Sequence, residues 1–110
     1  MEWSIEYYNK TVENAVLNLP AGLLARYLRL ADMMLEFGPD LGRPHTKSIK
    51  KGLFELRIKG KEGIARVFYC TKIGNKIIML HVFIKKTQKI PKNQLKIAND
   101  RMKEVKEREA

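Results

Sequence analysis

The amino-terminal end of the chain first alternates between apolar and polar residues and then changes to a helical spacing. The alternating stretch WSIEYY, from Trp3 to Tyr8, predicts a short strand. Asn9 or Thr11 can then cap a first helix, and Glu13 suits its first turn. The apolar face of this helix would be formed by Val12, Val16, Leu17 and Leu19. Pro20 interrupts the helix because proline has no amide hydrogen for an interior helical bond.

A second helix is predicted from about Ala21 to Phe37. Its apolar residues recur at spacings of three and four, which is the pattern of a helix with one face in the core. They are Leu23, Leu24, Tyr27, Leu28, Ala31, Met34 and Leu35. Gly38 and Pro39 follow, and this pair is typical of a helix end.

Three strands are predicted after a polar loop that runs from Leu41 to Lys51. The strands span Leu53 to Ile58, Ile64 to Thr71, and Lys76 to Ile84. The dipeptide Gly-Asn lies between the last two strands and predicts that they form a hairpin.

The chain ends in a pattern typical of one more helix. Pro91 opens it, and it runs from about Lys92 to Glu109. Its apolar side would be formed by Leu95, Ala98, Met102 and Val105. The order of elements is therefore β-α-α-β-β-β-α, within a single domain that spans residues 1–110. This order predicts an α+β fold, with a small antiparallel sheet covered on one face by the two amino-terminal helices.

Basic residues greatly outnumber acidic ones. The 110 residues include 22 Lys and Arg against 12 Asp and Glu, which gives a net charge of +10 and a pI near 9.9. This charge favours an anionic partner such as nucleic acid, a ribosome, an acidic membrane or an acidic protein. A merely soluble basic surface is the alternative. The hydrophobic share of 45% is sufficient for one ordinary core.

Several classes of protein do not fit the sequence. The stretch MEWSIEYYNK lacks the charged start and apolar core of a signal peptide, and no apolar run approaches the roughly 18 residues of a membrane helix. We therefore expect a cytoplasmic protein with no membrane partner. The single cysteine, Cys70, cannot form an internal disulfide, and its apolar neighbours predict a small buried residue. Since His45 and His81 are the only histidines, no metal site or cofactor is expected.

Two arginines stand inside apolar strands. Because side chains alternate across a strand, Glu55 and Arg57 share one face, and Phe54 and Leu56 share the other. If the helices cover the Phe54 side, Arg57 lies on the open face. Pairing of the neighbouring strand can place Arg66 on that same face, although a slip of one residue would invert it.

Cationic and amide side chains crowd the last strand and the start of the last helix. The candidates for contact with RNA are Lys72, Lys85, Lys86, Gln88 and Lys92. Together with the two arginines they predict a basic sheet face that suits a phosphate backbone. Lysines at strand ends also protect sheet edges, which is the alternative for each of them.

The motifs GLFELR (52–57), RVFY (66–69) and HVFIKKTQKIP (81–91) carry a resemblance that covers nearly the whole chain. With this spacing the chain resembles the HigB-like branch of the RelE/ParE toxin superfamily. The resemblance implies the toxin of a type II toxin–antitoxin pair, which cuts mRNA on the ribosome without a metal. In that reaction a ribose 2′-hydroxyl attacks the adjacent phosphorus. It also implies a small antiparallel sheet backed by two amino-terminal helices.

The resemblance also assigns roles to individual residues. Arg57 and Arg66 match the strand cations that hold the scissile phosphate, and Lys89 matches a late basic residue near the leaving group or phosphate. Glu55 stands where some relatives have a lysine, so it is either the general base or a structural partner of Arg57. His81 is either an acid or base, which its ordinary pKa allows, or a half-buried structural residue. Many ribosome-dependent relatives carry a tyrosine near the carboxyl terminus, whereas no aromatic residue follows Phe83 here.

The implied partners are a cognate antitoxin of the helix-turn-helix type, mRNA and the ribosome. Two other functions are compatible with the same sequence. One is a non-enzymatic toxin of the ParE type that acts on DNA gyrase, since one fold can carry both activities. The other is a basic RNA-binding module without cleavage, although no helix-turn-helix or RNA-recognition signature is present.

Overall fold

The computed structural model describes residues 2–85 and 89–109, which form five strands and three helices. In chain order the elements are β1 (Ser4–Tyr7), α1 (Lys10–Leu17), α2 (Ala21–Phe37), β2 (Thr46–Lys50), β3 (Leu53–Gly60), β4 (Gly63–Lys72), β5 (Lys76–Lys85) and α3 (Lys92–Glu109). The side chain of Asn9 caps α1, since its Oδ1 accepts a hydrogen bond from the amide of Val12 at 2.9 Å. Both predicted amino-terminal helices and the carboxyl-terminal helix are confirmed.

The five strands form one sheet in the order β1-β5-β4-β3-β2. Strands β2 to β5 pair antiparallel, and the predicted hairpin between β4 and β5 is confirmed. Gly74 and Asn75 in its turn have φ angles of +91° and +58°, a conformation that glycine and asparagine tolerate.

Two details of the sheet differ from the prediction. Strand β1 pairs parallel to β5, so the sheet is mixed and not purely antiparallel. The predicted polar loop from Leu41 to Lys51 contains β2, an edge strand whose sequence TKSIK has one buried residue, Thr46. Because so little of this edge strand is buried, its sequence does not alternate clearly between apolar and polar residues. The hydrophobic pattern therefore indicated a loop.

The two faces of the sheet carry separate hydrophobic clusters. Helices α1 and α2 pack on one face, where Leu56, Ile58, Val67 and Met79 are fully buried. This is the face that the alternation of β3 predicted for the helices.

The opposite face is partly covered by α3, which contacts β4 and β5. Ala98, Met102 and Val105 of α3 pack there against Phe68 and Leu80. The prediction of an open face was therefore wrong for β4 and β5, because the apolar stripe of α3 buries their inner residues. The carboxyl-terminal end of β3 retains exposed side chains, such as that of Lys59.

Within the described residues no helix is long and apolar enough to span a membrane.

Candidate nucleic-acid site

The strand register places the two predicted arginines directly opposite each other. Arg57 of β3 pairs with Arg66 of β4, so both side chains lie on the face that α3 partly covers. The prediction that they share a face is confirmed. Like charges placed opposite each other repel, so a nearby anion is needed to stabilise this pair.

Glu55 supplies that anion. Its carboxylate accepts a hydrogen bond from Nη1 of Arg66 at 2.9 Å, and both side chains are only 3% exposed. The ion pair is thus withdrawn from solvent. Glu55 was predicted to be either a general base or a structural partner of Arg57. The structure shows that it forms an ion pair with Arg66, one strand further into the sheet. This diagonal contact follows from the register, because Phe68 is the residue directly opposite Glu55.

Arg57 is the accessible member of the arginine pair. It is half-buried and lines a small cavity of about 130 Å³, which we call the arginine cavity. The other residues that line it are Arg43, Pro44, Thr46, Lys47 and Glu55. The sequence analysis missed Arg43 and Lys47. Arg43 precedes the edge strand β2 and Lys47 belongs to it, and this whole stretch was interpreted as a loop. Three cations around one cavity suit the binding of an anion.

Lys85 lies at the end of β5 on the same face as Arg66. Partial desolvation lowers the pKa of its amine, and the positive charges of Arg66 and Lys89 lower it further, while Glu55 opposes them. These four charges therefore lie within electrostatic reach of one another. Lys85 was predicted to bind RNA, and its lowered pKa leaves a larger share of its amine neutral at a given pH than in an ordinary lysine.

His81 is half-buried between the sheet and α3. Its Nε2 is hydrogen-bonded to Oε1 of Gln94, and its ring stacks beside Phe83 with centroids 6.0 Å apart. Burial lowers the pKa of His81, and the nearby Arg101 adds to the effect, although the bond to Gln94 opposes it. These contacts favour the structural interpretation of this histidine.

The remaining predicted residues fall into three groups. Lys72 lies at the far end of β4, where it faces Glu6 at 3.8 Å, so it belongs to another part of the surface. Lys89 and Lys92 are exposed and flank the start of α3. The predictions for Lys86 and Gln88 lie outside the described residues.

Cys70 is fully buried among the residues under α3, as predicted. Burial raises the pKa of its thiol to about 11. Across residues 2–85 and 89–109, His, Cys, Asp and Glu side chains form no group of three or more that could hold a metal ion.

Comparison with known proteins identifies the family. Residues 14–103 match the family described as phage derived protein Gp49-like (DUF891). The chain belongs to the Gp49-like family. No curated protein matches its sequence significantly.

The Gp49-like chain is also similar in structure to a chain in the crystal structure of the archaeal RelE–RelB complex from Pyrococcus horikoshii OT3. The TM-score is 0.55 at 20% sequence identity, and the match covers 81% of the Gp49-like chain and 100% of the archaeal chain. This similarity confirms the predicted α+β fold of the RelE kind.

Proposed function

We propose that this protein is the toxin of a toxin–antitoxin pair and that it cuts mRNA by attack of a ribose 2′-hydroxyl on the adjacent phosphorus. The observation that supports this most directly is the arginine cavity, which is lined by the half-buried Arg57 and by Glu55, the buried partner of Arg66, in a RelE-like fold. The motifs GLFELR and HVFIKKTQKIP further support membership of the HigB-like branch. The similar archaeal structure is that of a RelE–RelB complex, which supports a cognate antitoxin as the partner here.

Arg57 binds the scissile phosphate in this proposal. A guanidinium can donate two parallel hydrogen bonds to phosphate oxygens and stabilises the extra negative charge of the pentacovalent transition state. Arg43 and Lys47 line the same cavity and add to its positive potential. Arg66 acts through Glu55, because both side chains are buried and Glu55 lines the arginine cavity together with Arg57.

Proton transfer is assigned to the lysines. Lys85, whose pKa is lowered, accepts the proton of the 2′-hydroxyl in its neutral form. The oxygen then forms a bond to phosphorus, and the bond to the 5′-oxygen of the next nucleotide breaks. Lys89, which is exposed next to this cluster, donates a proton to the leaving 5′-oxygen. The products are a 2′,3′-cyclic phosphate and a free 5′-hydroxyl.

The test is cleavage of end-labelled RNA by the purified protein, with and without translating ribosomes. We expect fragments that end in a 2′,3′-cyclic phosphate, and we expect Arg57→Ala to reduce the rate by about 100-fold or more, as for other groups that stabilise transition-state charge. Lys51→Ala is the matched control, since Lys51 is an exposed cation in the turn before β3, at the opposite end of that strand from Lys59.

Induction in cells separates the alternatives. If growth stops while mRNA stays intact, the nuclease proposal fails and a toxin of the ParE type is favoured. If the protein binds RNA tightly but neither cuts it nor stops growth, a plain RNA-binding module is favoured. Retained cleavage in Arg57→Ala would refute the assignment of the phosphate to Arg57.

A further inference from the structure

Two larger concavities lie next to the arginine cavity along the edge of the sheet. Arg57 and Pro44 also line a space of about 280 Å³, whose other lining residues are Arg26, His45 and Lys59. Arg26 and Lys59 in turn line a space of about 430 Å³ at the amino-terminal end of α2. Because neighbouring spaces share lining residues, the three lie next to one another along this edge. We call the two larger spaces together the edge groove.

The course of β3 explains why the groove is there. Strand β2 pairs with β3 over Leu53–Leu56, and the amide of Arg57 donates a hydrogen bond to the carbonyl of His45 at 2.8 Å. Residues 58–60 therefore extend past the start of β2. The part of β3 from Glu55 to Gly60, which borders the cavity and the groove, is about 17 Å long at a rise of about 3.3–3.4 Å per residue. Helix α2 lies beside it, and the gap between helix and strand is the groove.

Positive charge dominates the groove. At its α2 end the charged lining residues are Arg26, Arg29, Lys59, Lys61 and Glu62. The carboxylate of Glu62 accepts a hydrogen bond from the amide of Gly22 at 3.0 Å. The positive end of the α2 dipole therefore partly compensates the negative charge of Glu62. The four cations are exposed. A ligand in the groove therefore meets a row of cations that leads to Arg57.

The lining residues favour a phosphate backbone over a protein segment. Protein interfaces are anchored by aromatic or large aliphatic side chains in pockets, whereas the uncharged lining of the α2 end consists of Gly22, Ala25 and Gly60. The exposed apolar residue Leu28 of the same helix lines neither space of the groove. Charge without apolar anchors is the pattern of sequence-independent backbone binding.

We propose that the edge groove binds the sugar-phosphate backbone of single-stranded RNA that extends from the nucleotides held at Arg57. This inference rests on the proposed function for the identity of the polyanion. Arg26 and Arg29 would each contact a flanking phosphate. The groove would thus set how much RNA beyond the cleaved bond contributes to affinity.

The test compares Arg26→Gln/Arg29→Gln with a control that removes the same charge elsewhere. The control is Lys51→Gln/Lys103→Gln, since both lysines are exposed and line neither the groove nor the arginine cavity. The probe is a fluorescent 2′-O-methyl oligoribonucleotide, which cannot undergo attack by its 2′-oxygen, so binding is measured without cleavage. Circular dichroism verifies that all variants are folded.

We expect the groove variant to bind several-fold more weakly than the control. The slope of log K against log salt should become shallower by about 1.4, since each phosphate contact to a single strand contributes about 0.7. Equal affinity and slope in the two variants would overturn the inference. It would also be overturned if the groove variant lost binding to an acidic partner protein while its RNA affinity matched that of the control.

The outcomes separate this inference from the proposed function. A wild-type protein that binds the probe through the groove but cuts no RNA refutes the nuclease and leaves the groove assignment intact. A protein that cuts RNA but whose probe affinity does not depend on Arg26 and Arg29 refutes the groove assignment alone.

Discussion

Arg66 and Glu55 form a buried ion pair at 2.9 Å directly beside Arg57, the accessible cation of the candidate site. Each partner is 3% exposed, so neither charge is compensated by bulk water. A buried pair of this kind stabilises little relative to apolar residues, but the loss of one partner leaves the other charge in a low-dielectric environment. The pair therefore ties the integrity of the site to the stability of the sheet.

This relationship predicts a strong dependence of stability on both partners. Arg66→Met should lower the free energy of unfolding by about 3–5 kcal/mol, and Glu55→Leu by a similar amount. Each substitution leaves the other charge buried without its partner. The double variant should be less destabilised than the sum of the two, because neither charge remains. Urea unfolding of the four proteins gives the coupling energy. Additive effects would show that the two side chains are energetically independent.

The same pair limits which substitutions can test catalysis. A loss of cleavage in Arg66→Met would be ambiguous, because the variant should also be less stable. Arg57 is half-buried and accessible, so Arg57→Ala is the more informative variant when its unfolding curve is recorded in parallel.

Lys85 predicts a characteristic pH dependence of cleavage. If its neutral amine accepts the 2′-hydroxyl proton, the rate should rise with pH and level off below the ordinary pKa of lysine, since the pKa of Lys85 is lowered. Lys85→Arg keeps the charge but remains protonated, so the rate should fall by about 100-fold or more and lose this dependence. Lys89→Ala removes the proposed acid, so the rate should fall, and it also removes one cause of the lowered pKa of Lys85, so the profile of the remaining activity should move to higher pH. These profiles are obtained from initial rates on labelled RNA. An unchanged profile in Lys85→Arg would refute the role of Lys85.

His81 predicts a loss of stability in acid. Burial lowers its pKa from the ordinary value of 6.5 in the folded protein, so the unfolded chain binds a proton at higher pH than the folded one does. Above this ordinary value both states are neutral and the histidine has no effect. As the pH falls below it, the unfolded state gains a proton first and stability decreases until the folded pKa is passed.

The measurement is the free energy of unfolding in urea from neutral to mildly acidic pH. His81→Asn keeps a hydrogen-bonding group near Gln94 and removes the titration, so its stability should decline less over the same range. If wild type and variant decline in parallel, His81 is not protonated differently in the two states.

Cys70 predicts a thiol that is unreactive until the protein unfolds. It is fully buried, and its pKa is raised to about 11, so little thiolate is present at mildly alkaline pH. A chromogenic disulfide reagent should modify the native protein slowly and the urea-unfolded protein at once. Equal rates would show that the region under α3 opens readily.

The local pattern of the chain determined the secondary structure and the faces of the central strands. The stripe of α2, the Asn9 cap and the Gly74-Asn75 turn are local features, and each is set by residues close in sequence. Alternation likewise placed Glu55 and Arg57 on one face of β3, because a strand repeats every two residues, whereas the register of β3 with β4 decided that Arg66 shares that face. The resemblance to RelE-like toxins extended this correct local interpretation to the fold.

Only the tertiary structure decided what surrounds these side chains. The ion pair of Glu55 with Arg66, the coverage by α3 and the position of β2 depend on which elements pack together, and no local spacing encodes that. The groove cations Arg26 and Arg29 were hidden for the same reason, since they lie on a helix that meets β3 only in the folded sheet. Sequence therefore determined the elements other than β2 and the face of each arginine within its own strand. Long-range packing decided that Arg66 is buried, that Arg57 is accessible, and that a basic groove leads to it.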